Sequence, residues 1–220
     1  TISAGDVIAG YLAAQDEFGN ADLVHDLVEK IAFREGVGDL LAEGIARIHD
    51  ELGIENWTVK GMEFPAHEGR AIHGQALAYM TANRGADHLY STFYAYEYPL
   101  VDKAEAFDPV GFEGKPEKLV WAENKRALED LGVICRFSRG SMTSERFESL
   151  FDAPFEELLE IGAEVVELER YFNNRRGMDR SDDEALPYEI PGASEALDDY
   201  YDLRGWNQDG TVPESAIRLA

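Results

Sequence analysis

Residues 152–177 read DAPFEELLEIGAEVVELERYFNNRRG and carry a long helical pattern. Their apolar side chains recur at helical intervals: Phe155, Leu158, Leu159, Val165, Val166, Leu168 and Phe172. This spacing places apolar groups on one face of an α-helix, where they can pack into a core. We expect a helix that opens at Asp152 and ends at Gly177, since acidic residues favour helix starts and glycine favours helix ends.

The same periodicity occurs three times before residue 54. It predicts helices over residues 3–18, 20–36 and 38–53. Ser3 and Asn20 are suitable N-caps for the first two, because their side-chain oxygens can accept hydrogen bonds from free amides of the first turn.

Residues 54–69 break the helical pattern. They predict a short extended piece that leads into a turn-rich loop. We place a domain boundary here, between residues 1–57 and residues 58–220, although the two parts can pack as one unit.

Helical patterns return after this break. We expect a helix over residues 70–84, one that starts at Pro116, a short one capped by Thr143, one over residues 194–203 and a last one from Pro213. A capping box is predicted at residues 181–184, and residues 91–118 are expected to be irregular with short helices. The fold class is therefore all-α, multi-helical, with irregular loops between helices.

The charge balance is strongly acidic. The 220 residues contain 20 Lys and Arg against 44 Asp and Glu, for a net charge of −24. Such a surface repels nucleic acid and anionic membranes, so neither is an expected partner. A hydrophobic content of 45% argues against disorder, which is the other common reason for high acidity.

A folded protein with this charge is typical of concentrated salt, where screening removes the self-repulsion. We expect a halophilic source and acidic clusters that are solvated faces. No stretch approaches the roughly 18 consecutive apolar residues of a membrane span. The start lacks both Met and a signal-peptide pattern, so we expect a cytoplasmic protein and a fragment of a longer polypeptide.

The only cysteine follows a lysine and an acid at fixed offsets. Residues 125–137 read KRALEDLGVICRF, in which Lys125, Asp130 and Cys135 are each five positions apart. A lone cysteine among apolar residues is most often a small buried side chain. It has no partner for a disulfide, and any metal at Cys135 would need ligands from outside this sequence.

Several separated motifs together resemble the aldehyde ferredoxin oxidoreductase family of tungsten and molybdenum enzymes. Residues 60–65 read KGMEFP, and residues 77–88 read LAYMTANRGADH, where the family has "KGLE-P" and "Y-A-T-S-N-R-G-x-x-H". The Lys-x4-Asp-x4-Cys spacing matches a third family motif, and residues 31–44, 168–177 and 200–206 match further segments. The resemblance covers nearly the whole chain and identifies it as part of the middle domain and the C-terminal domain.

The resemblance implies a metal held by two pterins beside a 4Fe-4S cluster, with aldehydes oxidised to carboxylic acids and ferredoxin as electron acceptor. One pterin would be bound by residues of the third motif: Lys125, Asp130, Gly132, Val133 and Ile134.

Three more residues receive roles from the resemblance. Cys135 matches the last ligand of the cluster, and Arg84 falls in the Asn-Arg-Gly run and is assigned to cofactor binding. His88 matches the histidine near the metal, where a proton donor or acceptor can act on the aldehyde. The alternative for His88 is a helix-capping histidine.

The chain also departs from the family. Val133 stands where the third motif has Gly, and Gly132 lies one position early, so close approach of the backbone to the pterin is in question. Met80 and Ala82 replace Ala and Ser in the helix before His88. The remaining cluster cysteines and the N-terminal domain are expected upstream of residue 1.

Two functions therefore stay open at this point. In the first, the chain is the C-terminal part of an aldehyde oxidoreductase, inactive alone, with no cofactor bound until it joins the N-terminal part of its polypeptide. Its other partners would be ferredoxin, a small aldehyde and possible further copies of itself. In the second, it is a stand-alone acidic helical interaction module that has lost the redox chemistry.

Overall fold

The structure is a computed structural model that describes residues 2–98, 100, 105–138 and 141–217. These residues form eleven α-helices: α1 (Ile2–Ala14), α2 (Ala21–Phe33), α3 (Val37–Leu41), α4 (Ile45–Leu52), α5 (His73–Thr81), α6 (Tyr94–Glu97), α7 (Lys115–Leu131), α8 (Ser144–Phe151), α9 (Phe155–Asn174), α10 (Arg180–Asp183) and α11 (Ala193–Arg204). A 3₁₀ turn (Glu214–Ala216) follows, and β1 (Thr58–Val59) pairs antiparallel with β2 (Met62–Glu63). The all-α prediction is confirmed.

The first four helices share one apolar cluster. Its buried members are Val7, Ile8, Leu12, Leu27, Leu41, Ile45, Ile48 and Ile54. Asn20 caps α2 as predicted, because its side chain accepts a hydrogen bond from the amide of Leu23 at 3.1 Å. The proposed division between residues 57 and 58 stays a prediction.

Helix α7 is central to the larger core and packs against α5, α9 and α11. The crossing of α7 and α9 is close at Gly162, where an added Cβ would lie 2.2 Å from the carbonyl oxygen of Asn124. Only glycine fits this position, so the sequence of α9 determines how near the two helix axes approach.

Buried ion pairs connect elements that are distant in sequence. The pairs are Lys60 with Asp183 (2.7 Å), Arg170 with Asp183 (2.7 Å), Lys115 with Glu97 (2.6 Å) and Arg204 with Glu123 (2.6 Å). A buried charge that loses its partner is costly, so these pairs specify which helices meet. Burial raises the pKa of Glu97, although its carboxylate also accepts from the amides of Gly74 and Gln75.

The predicted helix over residues 38–53 is wrong in one respect, since it is split into α3 and α4. Gly44 lies between them with φ of +86°. The amide of Ile45, at the start of α4, donates to the Glu63 carboxylate at 2.9 Å. Periodicity alone could not reveal a break that depends on a carboxylate from β2.

Other helix ends also differ from the prediction. Ser3 lies within α1 and donates its hydroxyl to Glu63 at 2.9 Å instead of capping. Asp152 ends α8 with a left-handed backbone (φ +54°), and α9 begins at Phe155. The capping box uses Asp179 and Asp182, two positions before the predicted one.

Among the helices that the structure describes, none combines the length and the apolar character needed to cross a membrane.

Candidate cofactor-binding site

The C-terminal end of α7 and the loop after it line a cavity of about 290 Å³. Lys125 and Cys135 both face this cavity, together with Arg126, Glu129 and Arg136. Two of the residues predicted from the third motif are therefore brought together by the fold.

Lys125 presents an available ammonium group. Its side chain is half-buried, and burial lowers the pKa of Lys125 below its usual value. The Nζ atom lies 5.5 Å from the ring centre of Trp121. Within the described residues it forms no hydrogen bond or ion pair, so it can donate to a ligand that enters the cavity.

A network of charged hydrogen bonds holds the wall of the cavity. The guanidinium of Arg126 donates to Glu129 at 2.5 Å and to the hydroxyl of Thr92 at 2.7 Å. Arg136 Nη1 donates to the same Glu129 carboxylate at 3.2 Å and to the carbonyl oxygen of Arg126 at 3.1 Å. Because charged hydrogen bonds are strong, this network fixes the loop that carries Cys135 to helix α7.

Asp130 does not line the cavity directly. Its carboxylate lies at the protein surface and accepts from Arg136 Nη2 at 2.6 Å. Only one carboxylate oxygen is used in this bond; the other accepts none from the described residues. Asp130 therefore keeps one free acceptor beside the cavity.

The chain turns sharply between Asp130 and Cys135. The amide of Val133 donates to the carbonyl oxygen of Asp130 at 3.0 Å, and the amide of Ile134 donates to the carbonyl oxygen of Glu129 at 2.9 Å. This pair of bonds is a Schellman motif, whose turning residue adopts the left-handed conformation. That residue is Val133, with φ of +55°, while Gly132 has φ of −79°. A β-branched residue is strained there, so the family's Gly is the residue this backbone favours.

Val133 and its neighbours face different environments. The Val133 side chain is 92% exposed, so it projects away from the protein at the turn. Ile134 packs against the apolar cluster of α7, α8 and α9: Leu128, Phe147, Phe155, Leu158 and Leu159. The turn thus anchors Ile134 in the core and leaves Cys135 outside.

Cys135 is an exposed, free thiol. Cys135 is therefore not the small buried side chain that is most common for a lone cysteine, because the Schellman turn directs residue 135 outward. The carbonyl oxygen of Cys135 accepts from the amide and the hydroxyl of Ser138, at 2.9 and 2.6 Å. In the part of the chain that the structure describes, no three His, Cys, Asp or Glu side chains are grouped to hold a metal ion. A metal at Cys135 would need ligands from other polypeptide segments.

His88 lies in the loop after α5 and does not line the Cys135 cavity. It belongs to a ring cluster in which its centroid is 5.2 Å from that of His67. The His67 ring stacks on Tyr94 at 4.1 Å. The two regions meet at Thr92, whose amide donates to the carbonyl oxygen of His88 at 3.1 Å and whose hydroxyl accepts from Arg126.

The family model described as "Aldehyde ferredoxin oxidoreductase, domains 2 & 3" matches residues 1–219. The chain belongs to the aldehyde ferredoxin oxidoreductase family. The resemblance stated from the sequence motifs is confirmed.

Two relatives carry the name tungsten-containing aldehyde ferredoxin oxidoreductase. The protein of Pyrococcus furiosus is 32% identical over 223 residues, which cover 91% of this chain and 36% of that protein. The protein of Thermococcus kodakarensis is 30% identical over 251 residues, which cover 97% of this chain and 41% of that protein. The chain thus spans about two fifths of the length of these relatives.

A solved structure shares the fold. It is the active site complex BamBC of benzoyl coenzyme A reductase with 1,5-dienoyl-CoA, with a TM-score of 0.76 and 19% identity. The similarity covers 97% of this chain and 42% of that one.

In this member of the aldehyde ferredoxin oxidoreductase family, the KGMEFP segment supports the fold. Lys60 and Gly61 form the turn of the β-hairpin with φ of +52° and +77°. The buried ammonium of Lys60 donates to the carbonyl oxygens of Met80 and Ala82, at the C-terminal end of α5, and pairs with Asp183. The segment therefore positions α5 and the loop that carries His88.

Arg84 lies apart from the Cys135 cavity and is exposed. Its guanidinium pairs with Asp87 at 2.5 Å and lies 5.8 Å from the ring centre of Tyr90. Asn83, its neighbour in the same motif, is buried and donates to Tyr90 and to the carbonyl oxygen of Val166. Cofactor binding by Arg84 stays a prediction.

Several residues that shape these regions were not predicted from the sequence. Thr92, His67 and Tyr94 carry no local pattern that separates them from ordinary loop or helix residues. Arg136 directly follows Cys135 in the third motif, but the motif spacing of Lys125, Asp130 and Cys135 gave it no role. The three-residue offset of Arg126 and Glu129 on α7 was a usable signal, because such pairs meet on a helix surface.

Proposed function

We propose that this chain is the C-terminal part of an enzyme that oxidises aldehydes to carboxylic acids at a tungsto- or molybdopterin centre. Electrons would pass through a 4Fe-4S cluster to ferredoxin. The observation that carries the proposal is the shared cavity of Lys125 and Cys135, in a chain that matches the family over residues 1–219. The names of the relatives support the aldehyde substrate, the tungsten and the ferredoxin.

The residues present fit part of such a site. Cys135 offers one exposed thiol, which suits a single cluster ligand with the remaining ligands supplied from elsewhere. Lys125 offers an ammonium with no hydrogen-bond or ion-pair partner among the described residues, which suits the acceptor atoms of a pterin. The free oxygen of Asp130 suits a donor group of the same ligand. Gly132, Val133 and Ile134 would contribute through their backbone.

When bound, the metal and its pterins supply the two-electron oxidation, and the cluster carries the electrons away. This chain would hold one edge of both groups. Arg126, Glu129 and Arg136 keep the Cys135 loop attached to α7, so the thiol stays at one place. An imidazole nitrogen of His88 would donate a hydrogen bond to the aldehyde oxygen or accept a proton that the reaction releases.

The chain is proposed to need the rest of its polypeptide. It covers 36–41% of its relatives, and a site shared with absent segments cannot bind its cofactors tightly. Alone, the chain would be inactive, with ferredoxin and the aldehyde bound only by the complete enzyme. A cytoplasmic location, a halophilic source and a possible homo-oligomer stay predictions.

The test is expression of the complete polypeptide under anaerobic conditions, followed by metal analysis and assay with short aldehydes. Cys135→Ser should lower the iron content and abolish electron transfer to ferredoxin. Ser181→Ala, an exposed change on α10, should leave the iron content and the electron transfer to ferredoxin unchanged. A full complement of iron in Cys135→Ser, or no aldehyde oxidation by a metal-loaded wild-type enzyme, would contradict the proposal.

A further inference from the structure

A second cavity, of about 280 Å³, lies between α1, the loop after β2 and Tyr188. Its lining includes Asp6, Trp57, Phe64, His67 and Tyr188, and none of the residues around Cys135. The family motifs at residues 60–65, 77–88 and 125–137 assign no role to this cavity.

Two buried polar atoms in its lining lack partners. Asp6 Oδ2 and the Tyr188 hydroxyl form no hydrogen bond within the described residues. Buried polar atoms are almost always paired, with protein or with ordered water. A polar cavity of this size has room for several water molecules, which can satisfy both atoms. The cavity is therefore suited to a chain of water between its polar walls.

Asp6 can exchange a proton near neutral pH. Burial, and then the nearby charge of Glu63, raise the pKa of Asp6 from 3.8 to about 6. The Glu63 carboxylate is already engaged, because it accepts from the amide of Ile45 and the hydroxyl of Ser3. Asp6 is thus the acid of this pair that is open to proton exchange.

The remaining titratable and charged groups around the cavity are constrained. Glu68 is paired with Arg70 at 2.6 Å, and the guanidinium of Arg70 lies over the rings of Trp57 and Tyr188. Burial raises the pKa of Tyr188 well above its usual value, so it stays protonated. On the other side of Asp6, Glu55 lines a groove that Asp6 also faces.

His67 connects this cavity to His88. It lines the cavity, and its ring centre lies 5.2 Å from that of His88. Stacking on Tyr94 at 4.1 Å fixes the plane of the His67 ring. An imidazole can take up a proton at one nitrogen and release it from the other, so two adjacent histidines can pass a proton along.

Asp6 also lines a groove on its other side. It lines a groove of about 570 Å³ together with Gly10, Ala13, Ile54 and Glu55, between α1 and the chain after α4. Asp6 therefore borders two spaces that can hold water, one toward His67 and one toward solvent.

We propose that His67 and Asp6 form a proton route from His88 to solvent. The inference rests on the proposed function. Oxidation of an aldehyde with water to a carboxylic acid releases two electrons and two protons; the electrons go to ferredoxin. Each proton moves from His88 to His67, across the water of the cavity to the Asp6 carboxylate, and then into the groove. Both residues are positioning and proton-carrying groups and need not touch the aldehyde.

The first test needs no redox cofactor. In the chain with labelled histidine, NMR titration should show two steps for the His67 ring, one from its own protonation and one from Asp6. Asp6→Asn should remove the second step, and Asp6→Glu should restore it. Asp16→Asn, an exposed change between α1 and α2, should leave both steps. Identical His67 titrations in wild type and Asp6→Asn would overturn the proposal.

The second test uses the complete, metal-loaded enzyme. Asp6→Asn should lower kcat by on the order of tenfold, increase the solvent deuterium isotope effect and leave KM and iron content unchanged. Asp6→Glu should recover most of the rate. Unchanged kcat and isotope effect in Asp6→Asn would overturn the route, even with coupled histidine titrations. If the wild-type enzyme oxidises no aldehyde, the proposed function fails while the NMR result is still interpretable.

Discussion

Arg136 Nη2 lies 2.6 Å from Asp130 Oδ2, so the residue after the only cysteine is tied to the acid of the same motif. The other nitrogen, Nη1, reaches Glu129 and the carbonyl oxygen of Arg126. One guanidinium thus connects the Cys135 loop to three positions of helix α7. The spacing of the motif has a structural reason beyond ligand binding, because it allows Arg136 to return to the helix.

Arg136→Ala should loosen this loop. The change removes hydrogen bonds to Glu129, which is buried, and to Asp130, which is exposed, so most of the loss comes from Glu129. We expect the free energy of unfolding to fall by about 1–2 kcal/mol and the Cys135 thiol to react faster with a thiol reagent. Urea unfolding and the modification rate at fixed pH measure the two effects. The exposed change Arg175→Ala should alter neither, and an unchanged thiol rate in Arg136→Ala would contradict the role of the pair.

Val133→Gly should stabilise the protein. Val133 has φ of +55° in a Schellman turn, and its side chain is 92% exposed, so little packing is lost with it. Relief of left-handed strain outweighs the added freedom of the unfolded chain, for a net gain of about 1 kcal/mol. Thermal or urea unfolding measures the change.

The neighbouring helical position supplies the control. Leu131→Gly, at the last residue of α7, removes an exposed aliphatic side chain from ordinary helical backbone and should destabilise by about 1 kcal/mol. We expect Val133→Gly to raise the free energy of unfolding and Leu131→Gly to lower it. A destabilised Val133→Gly would mean that the valine side chain is supported by contacts.

Some features of this site could be predicted from the sequence, and others could not. Lys125 and Cys135 were found from motif spacing, because residues near one helix end stay close in space. The departure of Val133 from the family's Gly was also visible, but the sequence could not show that the turn keeps its left-handed shape. The roles of His67, Thr92 and Glu63 could not be predicted, since their partners lie on other elements. Tertiary contacts also caused the wrong boundaries, such as the break of α3 and α4 at Gly44.

Gly162→Ala should destabilise the crossing of α7 and α9. The new Cβ would lie 2.2 Å from the carbonyl oxygen of Asn124, which is backbone and cannot move aside. We expect a loss of about 2–3 kcal/mol by urea unfolding, because the helices must separate. Gly5→Ala, in α1 with no atom near the new Cβ, should instead stabilise by about 0.5–1 kcal/mol. A neutral Gly162→Ala would contradict the close crossing.

Asp6→Asn should change how stability depends on pH. The pKa of Asp6 is about 6 in the folded protein against 3.8 as its ordinary value, so the native state holds this proton more tightly than the unfolded state. The contribution of Asp6 to stability is therefore present below about pH 4 and is lost as pH rises through 6. Asn carries no charge at any pH. The free energy of unfolding of Asp6→Asn, relative to that of wild type, should therefore increase between pH 4 and pH 7. Partial exposure limits this relative gain to about 1 kcal/mol.

Urea unfolding at pH 4 and at pH 7 measures this gain. The control Asp16→Asn should differ from wild type by the same free energy at the two pH values. An equal Asp6→Asn difference at pH 4 and pH 7 would show that the Asp6 carboxyl titrates normally in the folded protein.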